Sequence, residues 1–352
     1  MKNKAAVLEE IVRFAQERGA SDIHIGGGEI WIRKDGRLIR VKTEADAAVR
    51  ACEEAEIVSC GRTDSGAAIL PGTRQRLHRY KSLGTSCLCI RLLPGIVPDA
   101  KSVGLPDSLV SLSALRSGMI LIAGPTGSGK STTLAALIRE IAVKRSCAIV
   151  TLEDPAEYDL GAIPGSRSLV RQRELGRDID SYSQGLADAM REDPDVIMLG
   201  ELRDEKTAEQ ALKAAETGHL VLSTLHTTDC VQSVSRFLEM FRPEARDSAR
   251  GVLADVLEAV CVQRLIPASD GGRVAVREIM RGTPAVRGLI RDNRTHQLKT
   301  VIQTSGDEGM VLFDRDLAQL VGTGRVAEAC ARMWASEPAA FQDYLGTVPE
   351  SG

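Results

Sequence analysis

The eight residues Gly124-Pro125-Thr126-Gly127-Ser128-Gly129-Lys130-Ser131 fit the phosphate-loop pattern G-x-x-x-x-G-K-[ST] at every fixed position. The context fits as well. Met119–Ala123 is a short apolar run that reads as a buried strand, and Thr132–Ile138 reads as the start of a helix. A strand, a glycine loop and a helix start aim successive backbone N–H groups and the positive end of a helix dipole at one point. Glycines let that backbone curl close to an anion without a Cβ clash. The predicted nucleotide-binding set is therefore Gly124 to Ser131 with Thr132. Lys130 would reach the β- and γ-phosphates, and the Ser131 hydroxyl would hold Mg²⁺.

Acidic residues downstream point to the chemistry that a bound nucleotide would undergo. One apolar run, 147–152, leads into Glu153-Asp154-Pro155-Ala156-Glu157, and another, 196–200, leads into Glu201. In a doubly wound sheet both would end at the carboxyl edge, where the phosphate loop also sits. Carboxylates there can hold Mg²⁺ and can orient or deprotonate an attacking water, the chemistry of phosphoanhydride hydrolysis. Glu157, Glu201 and Lys130 are thus the candidate catalytic residues, with Ser131 and Glu201 as metal ligands; which glutamate is the base stays open. The second strand ends Gly-Glu, not the Asp-Glu of many nucleotide hydrolases. His219 and His226 bracket the run Leu220–Leu225, and both are candidate phosphate sensors. Their odd spacing puts them on opposite faces of a regular strand, so one can face the γ-phosphate while the other packs or caps.

The elements that must position these groups alternate. Candidate strands at 119–123, 147–152, 196–200 and 219–225 are separated by helical patterns, as a parallel sheet requires. Upstream, residues 5–19 carry an amphipathic helical stripe. Ile23, Ile25, Ile30, Ile32, Leu38 and Val41 suggest strands joined at Gly26-Gly27-Gly28 and Lys34-Asp35-Gly36, and another strand pair is expected within 72–93. Pro94, Pro98 and Pro106 bound a linker, and residues after 230 read as mainly helical. The expected organisation is α/β: a small N-terminal α+β domain (1–100), a P-loop ATPase core (101–230) and a helical C-terminal region (231–352).

Composition narrows the function classes. The 352-residue chain has a formal net charge of −3 and only 3% aromatic residues, which argues against base-stacking nucleic-acid surfaces. Its eight cysteines include no C-x-x-C pair, so buried free thiols in a reducing cytosol are expected rather than a zinc site. Residues 1–20 lack a signal-peptide core, and no run approaches bilayer length. A cytosolic protein able to dock on a membrane complex is expected.

Four segments in order carry a resemblance. Gly124–Ser131, Thr151-Leu152-Glu153-Asp154-Pro155-Ala156-Glu157-Tyr158, Arg191-Glu192-Asp193-Pro194-Asp195 with Gly200-Glu201-Leu202-Arg203-Asp204, and Gly218-His219 with Ser223-Thr224-Leu225-His226 resemble the Walker A, Asp, Walker B and His boxes of the type II/IV secretion (GspE/PilT) ATPase superfamily. Gly-Glu is that family's Walker B ending. Within it the chain is most similar to the type IV pilus retraction (twitching motility) ATPases. It is short, has in Ala20-Ser21-Asp22-Ile23-His24-Ile25 a segment similar to the first strand of that family's N-terminal domain, lacks a tetracysteine module, and carries Ala285-Val286-Arg287-Gly288-Leu289-Ile290-Arg291-Asp292, similar to the retraction signature Ala-Ile-Arg-Asn-Leu-Ile-Arg-Glu. Gly306–Met310 is a further match.

The resemblance implies a PAS-like N-terminal domain joined to a RecA-like ATPase domain, ATP and Mg²⁺ as ligands, and a homo-hexameric motor. It also implies a cytoplasmic location, peripheral to the inner membrane and docked on a pilus platform protein, with no nucleic-acid partner. Arg74, Arg76 and Arg91 match the family's arginine donors to nucleotide from the N-terminal domain, within the same subunit or the next. Read without the family, Ala285, Val286, Leu289 and Ile290 form an apolar stripe with Arg287 and Arg291 opposite. Gly288 in mid-helix costs about 1 kcal/mol relative to alanine. Assembly or secretion ATPases, a non-hydrolysing regulatory paralogue, and a kinase or DNA translocase are the competing readings. Intact Lys130, Ser131, Glu157 and Glu201 speak against a non-hydrolysing scaffold, and no acceptor pocket is visible for a kinase.

Overall fold

Leu8, Ile11, Val12 and Ala15 recur at helical spacing, and Ala6–Glu17 forms helix α1 with all four buried. The computed structural model describes residues 6–34, 36–42, 46–58, 64–65, 74–93 and 95–347; Asp35 and Pro94, named above, lie outside them. The chain divides into two units, Met1–Ile96 and Val97–Gly352. In the first, α1 is followed by β1 (Asp22–Gly26), β2 (Glu29–Lys34), β3 (Arg37–Val41), α2 (Ala47–Val58), β4 (Asp64–Ser65), β5 (Arg74–Ser82) and β6 (Thr85–Leu93). Gly27 and Gly28, both at positive φ, close the β1–β2 hairpin, a two-residue turn that glycine adopts without strain. The sheet order is β3-β2-β1-β6-β5-β4, and Ile23, Ile25, Ile30, Ile32, Leu77, Leu88 and Ile90 share one core with the two helices. The expected α+β unit and its strand pair within 72–93 are present.

The second unit begins with α3 (Asp107–Val110), β7 (Gly118–Ala123), α4 (Lys130–Lys144), β8 (Ala148–Glu153) and β9 (Leu169–Glu174). It continues through α5 (Tyr182–Ala189), β10 (Val196–Leu199), α6 (Glu205–Glu216), β11 (Leu220–Leu225), α7 (Cys230–Glu239) and α8 (Arg246–Val256). Then come β12 (Leu257–Pro267), β13 (Arg273–Arg281), α9 (Pro284–Arg291), α10 (Leu298–Thr304), α11 (Phe313–Gly322), α12 (Glu328–Trp334) and α13 (Pro338–Leu345). The sheet order is β13-β12-β7-β11-β10-β8-β9, parallel except for β13. Both faces are covered. Met119 and Leu121 enter one core, with Leu212 and Val234, while Ile120 and Ile122 enter the other, with Leu134 and Leu137 of α4.

Two strands after residue 230, β12 and β13, were not expected from the sequence: they extend the sheet on the far side of β7. Ala259, Val260, Cys261 and Val262 are all fully buried. A strand covered on both faces loses the alternation that marks a strand in sequence. Among the described residues no helix is long and apolar enough to cross a membrane.

The signature segment is α9, capped by Thr283, with Val286 and Ile290 buried. Its arginines are both engaged. Arg287 Nε donates to Gly282 O at 2.7 Å and its Nη2 to Glu258 Oε1 at 2.7 Å, while Arg291 pairs with Asp255 at 2.5 Å. They hold the α8–β12 junction against α9. Gly282 is packed so tightly there that a Cβ would stand 1.8 Å from Leu257 O. Gly282→Ala is therefore expected to destabilise the protein by about 2–3 kcal/mol, because only backbone movement can relieve the overlap. Thermal unfolding checks this; an unchanged midpoint would show that the junction separates freely.

Candidate nucleotide site

The phosphate loop leaves β7 at Gly124 and enters α4 at Lys130, with Gly124, Gly127 and Gly129 all at positive φ. A Cβ at Gly124 would lie 2.3 Å from Gln263 O and 2.6 Å from Ser128 Oγ, so only glycine fits between the loop and β12. Lys130 Nζ donates to Gly124 O at 2.8 Å and to Pro125 O at 3.1 Å. Burial pushes the Lys130 amine below its usual range, and the charges of Glu201 and Glu157 oppose that shift. Both candidate acids thus act on this one ammonium.

Sheet register explains how. Ala123 pairs with Leu225, and Leu199 pairs with Ser223 and with Leu152, so Gly124, His226, Glu201 and the 154–157 segment leave the sheet at one edge. Gly200 sits between packed groups: its N–H donates to Leu152 O at 2.7 Å, and its carbonyl accepts from Thr224 Oγ1 at 2.5 Å. A Cβ there would meet the Tyr182 hydroxyl at 2.9 Å and Leu152 O at 3.3 Å. That crowding is the physical reason the strand ends Gly-Glu. Glu201, whose side chain is 16% exposed, is gripped through Oε1 by the Arg203 guanidinium, and its Oε2 lies 3.6 Å from His226 Nε2. At that separation the histidine contact is electrostatic rather than a hydrogen bond. Burial, and then Lys130, hold the His226 pKa below the ordinary histidine value, while Glu201 opposes that shift.

The 154–157 segment is tied down on both sides. Tyr158 Oη lies 2.9 Å from Thr132 Oγ1 at the start of α4, and the Tyr158 carbonyl accepts from Gln172 Nε2 at 2.9 Å. Glu157 is half-buried beside these anchors. Thr132 thus has a structural partner in addition to its place in the loop, whereas Ser131 is exposed.

His219 is the residue that the structure moves away from its expected role. It precedes β11 at the opposite edge of the sheet, about 20 Å along a six-residue strand from the loop. Its Nδ1 contacts Ala214 O at 2.9 Å, closing the end of α6. Of the two histidines, only His226 stands at the phosphate edge.

Arg74 opens β5, but its side chain lies outside the described residues. Arg76 and Arg91 face each other across β5 and β6, with Asp22 next to Arg91 on β1. Arg91 Nε donates to Asp22 Oδ1 at 3.0 Å, which offsets the like-charge pairing.

A cavity of about 560 Å³, without a signal in the sequence, adjoins Gly129, Thr132 and Thr133 and is walled by Gln263, Arg277 and Asp316. Arg277 donates to Gly104 O at 2.7 Å and Val103 O at 3.0 Å, closing the linker over it. Asp316 accepts from Arg277 N at 2.8 Å, and burial raises its pKa to about 6. Gln263 was missed too; the signal for it is an uncharged polar residue directly after the apolar run Ala259–Val262.

Residues 86–324 match the type II/IV secretion system protein family, and the chain belongs to that family. The type IV pilus retraction ATPase PilT of Pseudomonas aeruginosa is 36% identical over 345 residues, covering 95% of this chain and 99% of that protein. The uncharacterised protein YggR of Escherichia coli is 39% identical over 328 residues, covering 91% and 99%. The crystal structure of the pilus retraction motor PilT with bound ADP superposes with a TM-score of 0.81 at 34% identity, covering 95% of this chain and 98% of that one.

Proposed function

We propose that the chain is a hexameric motor that hydrolyses ATP at Gly124–Ser131 to drive type IV pilus retraction. The observation that carries this reading is that the strand register brings the phosphate loop, Glu201 and the 154–157 segment with Glu157 out at one edge of the sheet. The triphosphate would lie on the loop, with Lys130 on the β- and γ-phosphates and the nucleoside in the adjoining cavity. Among the described residues no three His, Cys, Asp or Glu side chains form a metal cluster. That suits Mg²⁺, which is usually held by one or two protein oxygens together with substrate phosphates. The Ser131 hydroxyl and the Glu201 carboxylate fit such a site, where the ion would neutralise phosphate charge. Glu201 or Glu157 would take the proton of the attacking water. His226, beside Glu201, would sense the γ-phosphate.

Arg74, Arg76 and Arg91 would be the arginine donors to nucleotide, and a closed head-to-tail ring of subunits is proposed with them. The similarity to PilT and the α9 signature support retraction. In that role the protein acts at the cytoplasmic face of the inner membrane on the pilus platform protein. Two measurements test the reading. Purified protein is expected to turn over ATP with Mg²⁺; nucleotide binding without turnover would identify a regulatory paralogue instead. Deleting the gene is expected to leave excess, immobile surface pili, whereas loss of all pili would identify an assembly motor.

A further inference from the structure

Gln263 lies in the middle of β12, and only 1% of it is exposed. Both ends of its amide are engaged. Its Nε2 donates to Ser128 O at 2.7 Å, and its Oε1 accepts from Thr133 Oγ1 at 2.9 Å. One rigid group thereby ties the phosphate loop, the first turn of α4 and a central strand together. The tie matters because of where it falls. Ser128 C=O and Gly129 N–H belong to one trans peptide plane and point in opposite directions. Holding the Ser128 oxygen against β12 turns the Gly129 N–H away from β12. Gly127 and Gly129, on either side of Ser128, impose little restraint of their own on that plane.

We propose that Gln263 is a positioning residue of the phosphate site: its side-chain amide fixes the Ser128–Gly129 peptide so that the Gly129 N–H is presented to the nucleotide phosphates. This role rests on the reading of Gly124–Ser131 as the triphosphate site. Without the amide, Ser128 O is left buried and unpaired, and the peptide is free to turn.

The test is titration of full-length protein with a fluorescent ATP analogue in Mg²⁺, alongside thermal unfolding. Gln263→Leu removes both bonds and is expected to weaken binding between about fivefold and about a hundredfold. Gln263→Glu keeps the acceptor for Thr133 but sets a carboxylate against Ser128 O; once protonated, it regains a donor. Arg277, opposite Gln263 in the β12–β13 register, and Asp316 on the Arg277 N–H are charged groups near it, and Arg273, Arg315 and Arg325 line the same cavity. Burial raises a carboxyl pKa, so Gln263→Glu is expected to bind at least about tenfold more tightly near pH 5.5 than near pH 8, relative to the unmodified protein. A purely structural glutamine would lower the unfolding midpoint without that pH-dependent recovery. Wild-type affinity in Gln263→Leu, or a Gln263→Glu pH profile parallel to that of wild type, overturns the proposal; if Gln263→Leu fails to fold, the Gln263→Glu profile decides. Lys130→Ala separates the two readings. Weak binding there with unaltered Gln263 variants removes only the role of Gln263, while wild-type binding in Lys130→Ala removes the phosphate site and that role together.

Discussion

Lys130→Ala is expected to abolish nearly all ATP hydrolysis and to weaken nucleotide binding by about 1.5–3 kcal/mol, the worth of a charge-assisted contact to phosphate. The loss in the transition state is larger, because charge on the γ-phosphoryl oxygens is stabilised in a partly buried site where water screens little. The fold should survive. Lys130 opens α4, where alanine is a strong helix former, and among the described residues its side chain bonds to two loop carbonyls. The three glycines and the Gln263 tie, which shape the loop, remain. Glu201 and Glu157 lose the ammonium between them, so the site becomes net anionic and repels a triphosphate further. Phosphate release by the purified variant, with its unfolding midpoint as a control, checks this. Turnover at the wild-type rate would remove Lys130 from the chemistry and with it the proposed phosphate site.

The legible parts of this site were those in which chemistry and chain order coincide. The phosphate loop is eight consecutive residues between a strand and a helix, so pattern and local structure reinforce each other. Glu201 and Glu157 were legible because each follows an apolar run, and parallel strands bring such tips to one edge. What escaped was set by tertiary contact. Gln263 reaches Ser128 across 135 residues, and nothing local to either marks the pair. β12 and β13 escaped because burial on both faces erased their alternation. His219 and His226 looked equivalent in sequence, bracketing one strand. The two ends of a parallel strand are nevertheless chemically unlike, and only the carboxyl end meets the loop. Arg287 and Arg291 read as one polar face of a helix, yet the packing of α9 onto the α8–β12 junction gives both a partner.

Glu201→Gln is expected to retain nucleotide binding while turnover falls by about 10²- to 10⁴-fold, the usual contribution of a positioned general base. The change is close to isosteric, and the amide oxygen can still accept from Arg203. Gly200, held by Leu152 O and Thr224 Oγ1, keeps the strand tip in place. What disappears is the charge. The variant loses a Mg²⁺ ligand of full charge and a proton acceptor, while Lys130 keeps Glu157 as its anionic neighbour. Nucleotide should therefore enter and stay, and the bound fraction should be mostly uncleaved ATP in a single-turnover quench. Binding and turnover that fall together, with a lowered unfolding midpoint, would make Glu201 a structural partner of Arg203 instead. Glu157→Gln in the same assay completes the assignment. Glu157 has no counterpart to the Arg203 grip among the bonds described, and it lies in the segment anchored by Tyr158 to α4, so its position depends less on its own charge. The acid whose amide variant binds ATP normally yet suffers the larger loss of cleavage is the base, and the other is left to orient water or metal.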